Sequence, residues 1–359
     1  MSGESDTRRR IFQQSIGLLR PFCGLLFIYA AFLIYDLFWD AESFQLRWWD
    51  GGLETFPRLF GTEPWGYNLK VVATQTSIVA IAALGMTLII VSGGIDLSPG
   101  SVIALVTVVI ALCLRGLGAP ETTAAAIVYP LVAVLAGVIT ATLVGLVNGL
   151  LITRLSIVPF IVTLGMMSVT RGLAKLFSGE SRVNPPDTWL NDLLVISKQD
   201  SFFRLPSGIV LLLLLAALIA AALRYTVFGR YVFAIGSSEA TARLCGVRVA
   251  GQKVFIYALS GSLVGIAALL EFTELKVGDP TTAVAKELDI IAAVVIGGGS
   301  LRGGRGSILG TLIGAFIIGI LRNGCVLYDI SDTIQEIVIG MIIVAATAVD
   351  QLQARRLKT

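Results

Sequence analysis

The sequence predicts an all-α, polytopic membrane bundle of about ten transmembrane helices, some broken, with a weak internal repeat. Three observations predict it. First, 55% of the 359 residues are hydrophobic and only 14% are charged, where a soluble domain carries about 25% charge. Second, the apolar residues come in blocks near the roughly 20 residues that cover a hydrocarbon core. Third, two of those blocks are interrupted by glycine-rich polar stretches that resemble each other.

The spans read in order as Pro21–Phe38, Val71–Val91, Pro99–Cys113, Thr123–Leu151, Ile157–Phe177, Ser207–Leu223, Val254–Glu271, Leu288–Gly298, Gly306–Leu321 and Thr333–Val349. The first follows Arg8–Arg9–Arg10 and lacks a small-residue cleavage site, so it is expected to be retained as a span. Basic residues near span ends orient the rest. Residues 1–20, Arg154, the tail 351–359 and the loop 224–253, with five basic residues against one acid, are expected inside the cell. The segments Asp40–Pro64, Glu180–Arg204 and Glu271–Glu287 carry more acids than bases and are expected outside. The chain thus reads as one permease-like domain, 21–350, with both termini cytoplasmic in the inner membrane.

Several function classes drop out. Histidine is absent and the four cysteines are scattered, so neither a metal site nor a disulfide framework is expected. The net charge of +3 follows membrane topology and does not indicate nucleic acid. A membrane-embedded enzyme would need clustered catalytic groups, and none is visible.

The first interruption, "GGIDLSPGS" (Gly93–Ser101), places Ser98 as a helix cap, Pro99 at the first helical position and Asp96 near the positive end of the new helix. Irregular backbone at membrane depth survives only against protein or water. Asp96 and Ser98 are therefore candidates for the translocation path or a gate, although Asp96 could equally only stabilise the helix start. The second interruption, "GSLRGGRGS" (Gly299–Ser307), lies 206 residues later. A further pairing at an offset of 175 aligns Asn148–Gly149 with Asn323–Gly324, which adds Asn148 and Asn323 to the candidates. Gly306, Gly310 and Gly314 form a small-residue stripe suited to close helix packing, with Ile308 off it and expected to tolerate change. The stretch from Gly299 imitates a phosphate-binding loop, but Arg305 and Gly306 stand where Lys and Ser or Thr are required. No nucleotide or other cofactor is expected on this chain.

Within the loop 224–253, Ser237 and Ser238 can cap a short helix from Glu239 to Cys245, closed by Gly246. Such a knob suits a groove on another protein. The segment "GRYVFAIGSSEATARLCGV" (Gly229–Val247) resembles the coupling segment of permease subunits in ABC importers for simple sugars of the ribose, xylose, arabinose and galactose group. "LGMTLIIVSGGIDLSPGSVIAL", "NGLLITRLSIVPFIVTLGMMSVTRGLA" and "VVIGGGSLRGGRGSILGTLIGAFIIGILRNG" resemble the same family's other signatures. The resemblance covers residues 71–350. It implies that Gly229, Arg230, Glu239, Ala240, Arg243, Leu244 and Gly246 couple the chain to a double-cassette ATPase subunit, which uses ATP and Mg. It also implies a second permease subunit, expected to be another copy of this chain, and a periplasmic or lipid-anchored sugar-binding protein, all set in membrane lipid. Trp39–Lys70 departs from the family as a longer external segment. Two alternatives stay open. One is an ion-coupled carrier using Asp96, Asp289 or Glu336; the other is a permease of the wider family for an autoinducer or a branched-chain amino acid.

Overall fold

A chain in lipid must hydrogen-bond its own backbone, so apolar blocks become helices. The computed structural model describes residues 67–194, 205–327 and, towards the carboxyl end, 330–331, 333–342, 344 and 348. Pro21–Phe38, the arginine cluster before it, both termini and the tryptophan-rich segment up to residue 66 lie outside the described residues. The helices are α1 (Tyr67–Val91), α2 (Pro99–Leu117), α3 (Thr123–Arg154), α4 (Pro159–Ser178), α5 (Ser207–Tyr225), α6 (Val227–Ser237), α7 (Glu239–Leu244), α8 (Val249–Leu275), α9 (Lys286–Ile296) and α10 (Ile308–Leu327). A helical stretch, Thr333–Ile342, follows. Seven helices among the described residues, α1 to α5, α8 and α10, are long and apolar enough to cross a membrane. The chain is a multi-pass membrane helical bundle.

Helix α1 is the central post, buried almost throughout and surrounded by α5, α8, α9 and α10. The way α3 packs shows how the bundle coheres. Lipid tails are as apolar as leucine, so helices in a bilayer gain little from hydrophobicity and need close backbone approach. On one side of α3, Ile127, Leu131, Leu135, Ile139, Leu143 and Val147 recur every four residues and are exposed, as suits a lipid-facing stripe. On the other, Ala141, Gly145 and Gly149 lie against α8. A methyl group on Gly145 would stand 2.2 Å from the Tyr257 carbonyl oxygen, and one on Gly261 would stand 2.4 Å from that of Ala141.

The second interrupted segment corrects the span list. Leu288–Gly298, expected as a full span, belongs to α9, whose 11 residues reach only about 16 Å, half a hydrocarbon core. Helix α9 then turns at Gly297–Ser307 and α10 runs back along it. A methyl group on Gly310 would meet the Gly297 oxygen at 2.0 Å, and one on Gly314 the Ala293 oxygen at 2.0 Å. Gly306 instead faces the Val91 side chain at the end of α1. The hydroxyls of Thr87 and Thr311, 2.7 Å apart, join α1 to α10. Ile308 is 5% exposed and belongs to the main core, so being off the glycine stripe does not make it a neutral site.

The chain before α9 also departs from expectation. Glu271–Glu287, read as an outside loop, ends α8 and then runs back into the bundle as a strap, residues 276–285. Gly278 lies against Thr107 and Ala111 of α2, and the Ala283 oxygen and the Glu287 carboxylate crowd Gly100 at the start of α2. Helices α2 and α9 therefore begin side by side inside the bundle. An acid excess marked a solvated loop only while those acids lacked partners. Here Lys286 pairs with Glu271 at 2.5 Å, and Arg182 pairs with Asp279 at 2.8 Å. Arg171 donates to the carbonyls of Pro280 and Thr282. The strap holds left-handed backbone at Lys276, Ala283 and Ala285, with φ of 60°, 55° and 61°. Side chains disfavour that region, so the strap is strained and pinned by its ion pairs.

Candidate functional site

The compact knob in the loop 224–253 forms as its caps direct. Thr226 opens α6 and accepts from the Gly229 N–H, while the Ser238 hydroxyl accepts from the Thr241 N–H. Gly246, with φ of 82°, closes the turn after α7. Glu239 and Arg243 form a 2.6 Å pair one turn apart, and Lys253 on α8 reaches Glu239 at 2.5 Å. One carboxylate oxygen thus ties the short helix to a spanning helix, and the other braces the short helix itself. Ala242 packs inward with Ile235 and Val249. Ala240, Arg243, Leu244 and Gly246 face outward with Arg230, and Leu244 is 89% exposed. An apolar side chain so bare, on a helix so firmly held, fits a contact surface. Gly229 is buried instead: a methyl group there would stand 2.0 Å from the Leu223 oxygen, so it allows α6 to fold back on α5.

The Lys253 hydrogen bond, then that of Arg243, holds the Glu239 carboxyl below its ordinary 4.5 against a partial burial that pushes it up. A depressed folded value means the attachment is fully present above pH 4.5 and fades as pH falls through the lower folded value. Protection of the Ala242 amide, taken relative to its intrinsic exchange rate at each pH, should hold down to pH 4.5 and fall below it. Loss of protection that begins near pH 6 would contradict the pairing.

Asp96, Ser98 and Asn148 meet, although Ser98 does not cap α2 as expected. Its side chain makes no cap bond. The Ser98 hydroxyl donates to Asp96 at 2.7 Å, the Ser98 N–H donates to the same carboxylate oxygen at 2.8 Å, and Asn148 donates to the Ser98 oxygen at 3.2 Å. The Ser98 oxygen, which a cap would turn to the backbone of α2, instead accepts from Asn148, while its proton goes to Asp96. Pro99 does occupy the start of α2. Tyr257 of α8 completes the group, its hydroxyl lying against Gly94 with no hydrogen-bond partner among the described residues. All four side chains are buried, so the cluster fastens the α1–α2 connection to α3. Asn323 is elsewhere: it sits on α10 beside Arg322, which pairs with Asp289 of α9 at 2.7 Å. The labelled helices beside α10 are α9, α1 and α5, and Ile339 of the 333–342 stretch packs against its carboxyl half. If Asp96 is a fastener, Asp96→Asn keeps its acceptor and Asp96→Ala does not. The alanine variant should lose about 2 kcal/mol of stability and the asparagine variant little, read as melting temperature in detergent. Equal losses would point to a role for the charge itself.

Two features escaped the sequence. The Ala141–Gly145–Gly149 spacing carries the same small-residue signal as Gly306–Gly310–Gly314 and marks the contact of α3 with α8. Tyr257 carries no local signal, being one aromatic within an apolar span.

Residues 68–347 match the family described as "Branched-chain amino acid transport system / permease component". The chain belongs to that permease family. It is 38% identical over 283 residues to the ribose import permease protein RbsC of Escherichia coli (strain K12), covering 79% of this chain and 85% of the relative. It is 37% identical over 285 residues to RbsC of Bacillus subtilis (strain 168), covering 79% and 84%. It is 34% identical over 291 residues to the fructose import permease protein FrcC of Rhizobium meliloti, covering 79% and 78%. No solved structure matches the chain.

Proposed function

We propose that the chain is the membrane-spanning subunit of an ATP-driven importer and forms the path for a monosaccharide delivered by an extracytoplasmic binding protein. The observation that carries this is α7: a capped helix, tied to α8 through Glu239 and Lys253, that holds Leu244 out from the bundle. A double-cassette ATPase subunit would receive it in a groove, and cassette closure would move the α7 end of the bundle. The permease would work as a pair, the second subunit being another copy. The α7 face would be cytoplasmic. Arg154 at the end of α3, exposed Arg230 and Arg243, and exposed Arg302 and Arg305 in the α9–α10 turn gather there, in keeping with the positive-inside tendency. That face also relieves the cost of Arg302 and Arg305, which would be high at mid-bilayer. The strap 276–285 would close the opposite end, its strained backbone released when its ion pairs open.

Relatives named for ribose and fructose import favour a monosaccharide, whereas the family description names branched-chain amino acids. Uptake of labelled ribose, fructose, galactose and leucine by cells expressing the chain with its ATPase and binding protein separates these. Sugar uptake is expected; leucine uptake alone would reassign the solute.

A further inference from the structure

Three stretches of backbone meet next to α7 with no side chain between them. The Gly304 N–H donates to the carbonyl of Val91, the last residue of α1, at 2.8 Å. Gly236 of α6 is wedged beside that bond. A methyl group on it would stand 1.7 Å from the Val91 oxygen and 2.5 Å from the Gly304 nitrogen. One on Gly303 would come within 2.7 Å of the Gly236 oxygen and 3.0 Å of the Gly93 Cα. Gly304 abuts Ser237, and Ser238 caps α7. Gly93 and Gly303 both hold φ of 84°, which side chains rarely adopt.

Glycine is a poor choice inside a helix, so Gly236 has a packing reason, and the contact it permits names that reason. We infer that Gly93, Gly236, Gly303 and Gly304 form a transmission block that moves as one piece with α7. Any displacement of α7 then reaches the two connections from which α2 and α10 start. This rests on the proposed docking of the ATPase at α7. Packed backbones have no rotamers to absorb a shift, and close-packed contacts pass displacement on. Only Ser237 and Ser238 separate Gly236 from Glu239, leaving no slack. On the far side of the block, the Thr87–Thr311 hydroxyl contact holds α1 and α10 together.

The test uses the assembled permease, ATPase subunit and binding protein in proteoliposomes, with Cys23, Cys113, Cys245 and Cys325 changed to serine. Its readouts are co-purification of the ATPase subunit, ATP hydrolysis stimulated by the binding protein, and sugar uptake. Gly236→Ala should retain the ATPase subunit while stimulated hydrolysis and uptake fall about tenfold. Retained stimulation, or loss of the ATPase subunit from the complex, would overturn the inference. A Thr87→Cys/Thr311→Cys pair, oxidised to a disulfide, should leave stimulation within about twofold of the reduced protein, because the joined helices already move together. A deep loss on oxidation, reversed by reductant, would show that they separate during the cycle and would also overturn it. Should Gly236→Ala fail to fold, the disulfide pair decides alone. Failure of the docking proposal looks different: Leu244→Asp would then keep the ATPase subunit and full activity.

Discussion

Gly310→Leu should abolish most of the folded yield, while Leu309→Ile on the same turn should be nearly silent. The reason is distance. At Gly310 even a methyl group would stand 2.0 Å from the Gly297 carbonyl oxygen, and that oxygen belongs to backbone that cannot rotate away. Overpacking a core typically costs about 1–3 kcal/mol, and here a whole isobutyl group must separate α9 from α10. Against a total stability of about 5–15 kcal/mol, that is a large share. Leu309 is 55% exposed on the outer side of α10, so a branched isomer there changes little. Monodisperse protein recovered after detergent extraction measures both. Similar recovery for the two variants would contradict the packing of α10 on α9.

The second large effect is expected at α7. Leu244→Asp removes an apolar contact from a side chain that touches almost nothing in this chain. Melting temperature should therefore stay unchanged while ATPase association weakens by about 2 kcal/mol or more, the loss found at interface anchors. Glu239→Lys acts differently. It sets a third cation beside Arg243 and Lys253, so it should loosen α7 itself as well as docking. Co-purification of the ATPase subunit reports docking in both variants, and amide exchange at Ala242 separates them. Rapid exchange is expected only for Glu239→Lys. Full association of Leu244→Asp would remove α7 from the coupling interface.

The fold class and the short capped helix α7 were legible because each rests on local signals. Apolar runs of bilayer length have one structural outcome in lipid, and Ser238, Glu239, Arg243 and Gly246 specify a short capped helix by position alone. The pieces that were misread depend on partners far away in the chain. Ser98 sits where a cap belongs, but its oxygen accepts from Asn148 on α3 instead. Glu271 and Asp279 look like loop acids until Lys286 and Arg182 are placed beside them. Leu288–Gly298 is apolar enough for a span, yet the strap before it has already entered the bundle, leaving α9 only half the distance to cover. Gly236 could not be singled out by composition, because its reason for being glycine lies in Val91 and Gly304. The pairing of Asn148 with Asn323 by repeat did not bring the two side chains together: one joins Ser98 on the α2 side of the bundle, and the other rides on α10.

If cassette-driven movement at α7 powers solute passage, as proposed, it will show in sugar uptake into proteoliposomes holding the permease and its ATPase subunit, with the binding protein outside. No ion gradient is imposed, and ATP is supplied or withheld on the ATPase side. Uptake against a concentration gradient should occur only with ATP and should vanish for Leu244→Asp. Concentrative uptake without ATP, driven by an imposed proton or sodium gradient, would contradict the account and restore the ion-coupled carrier.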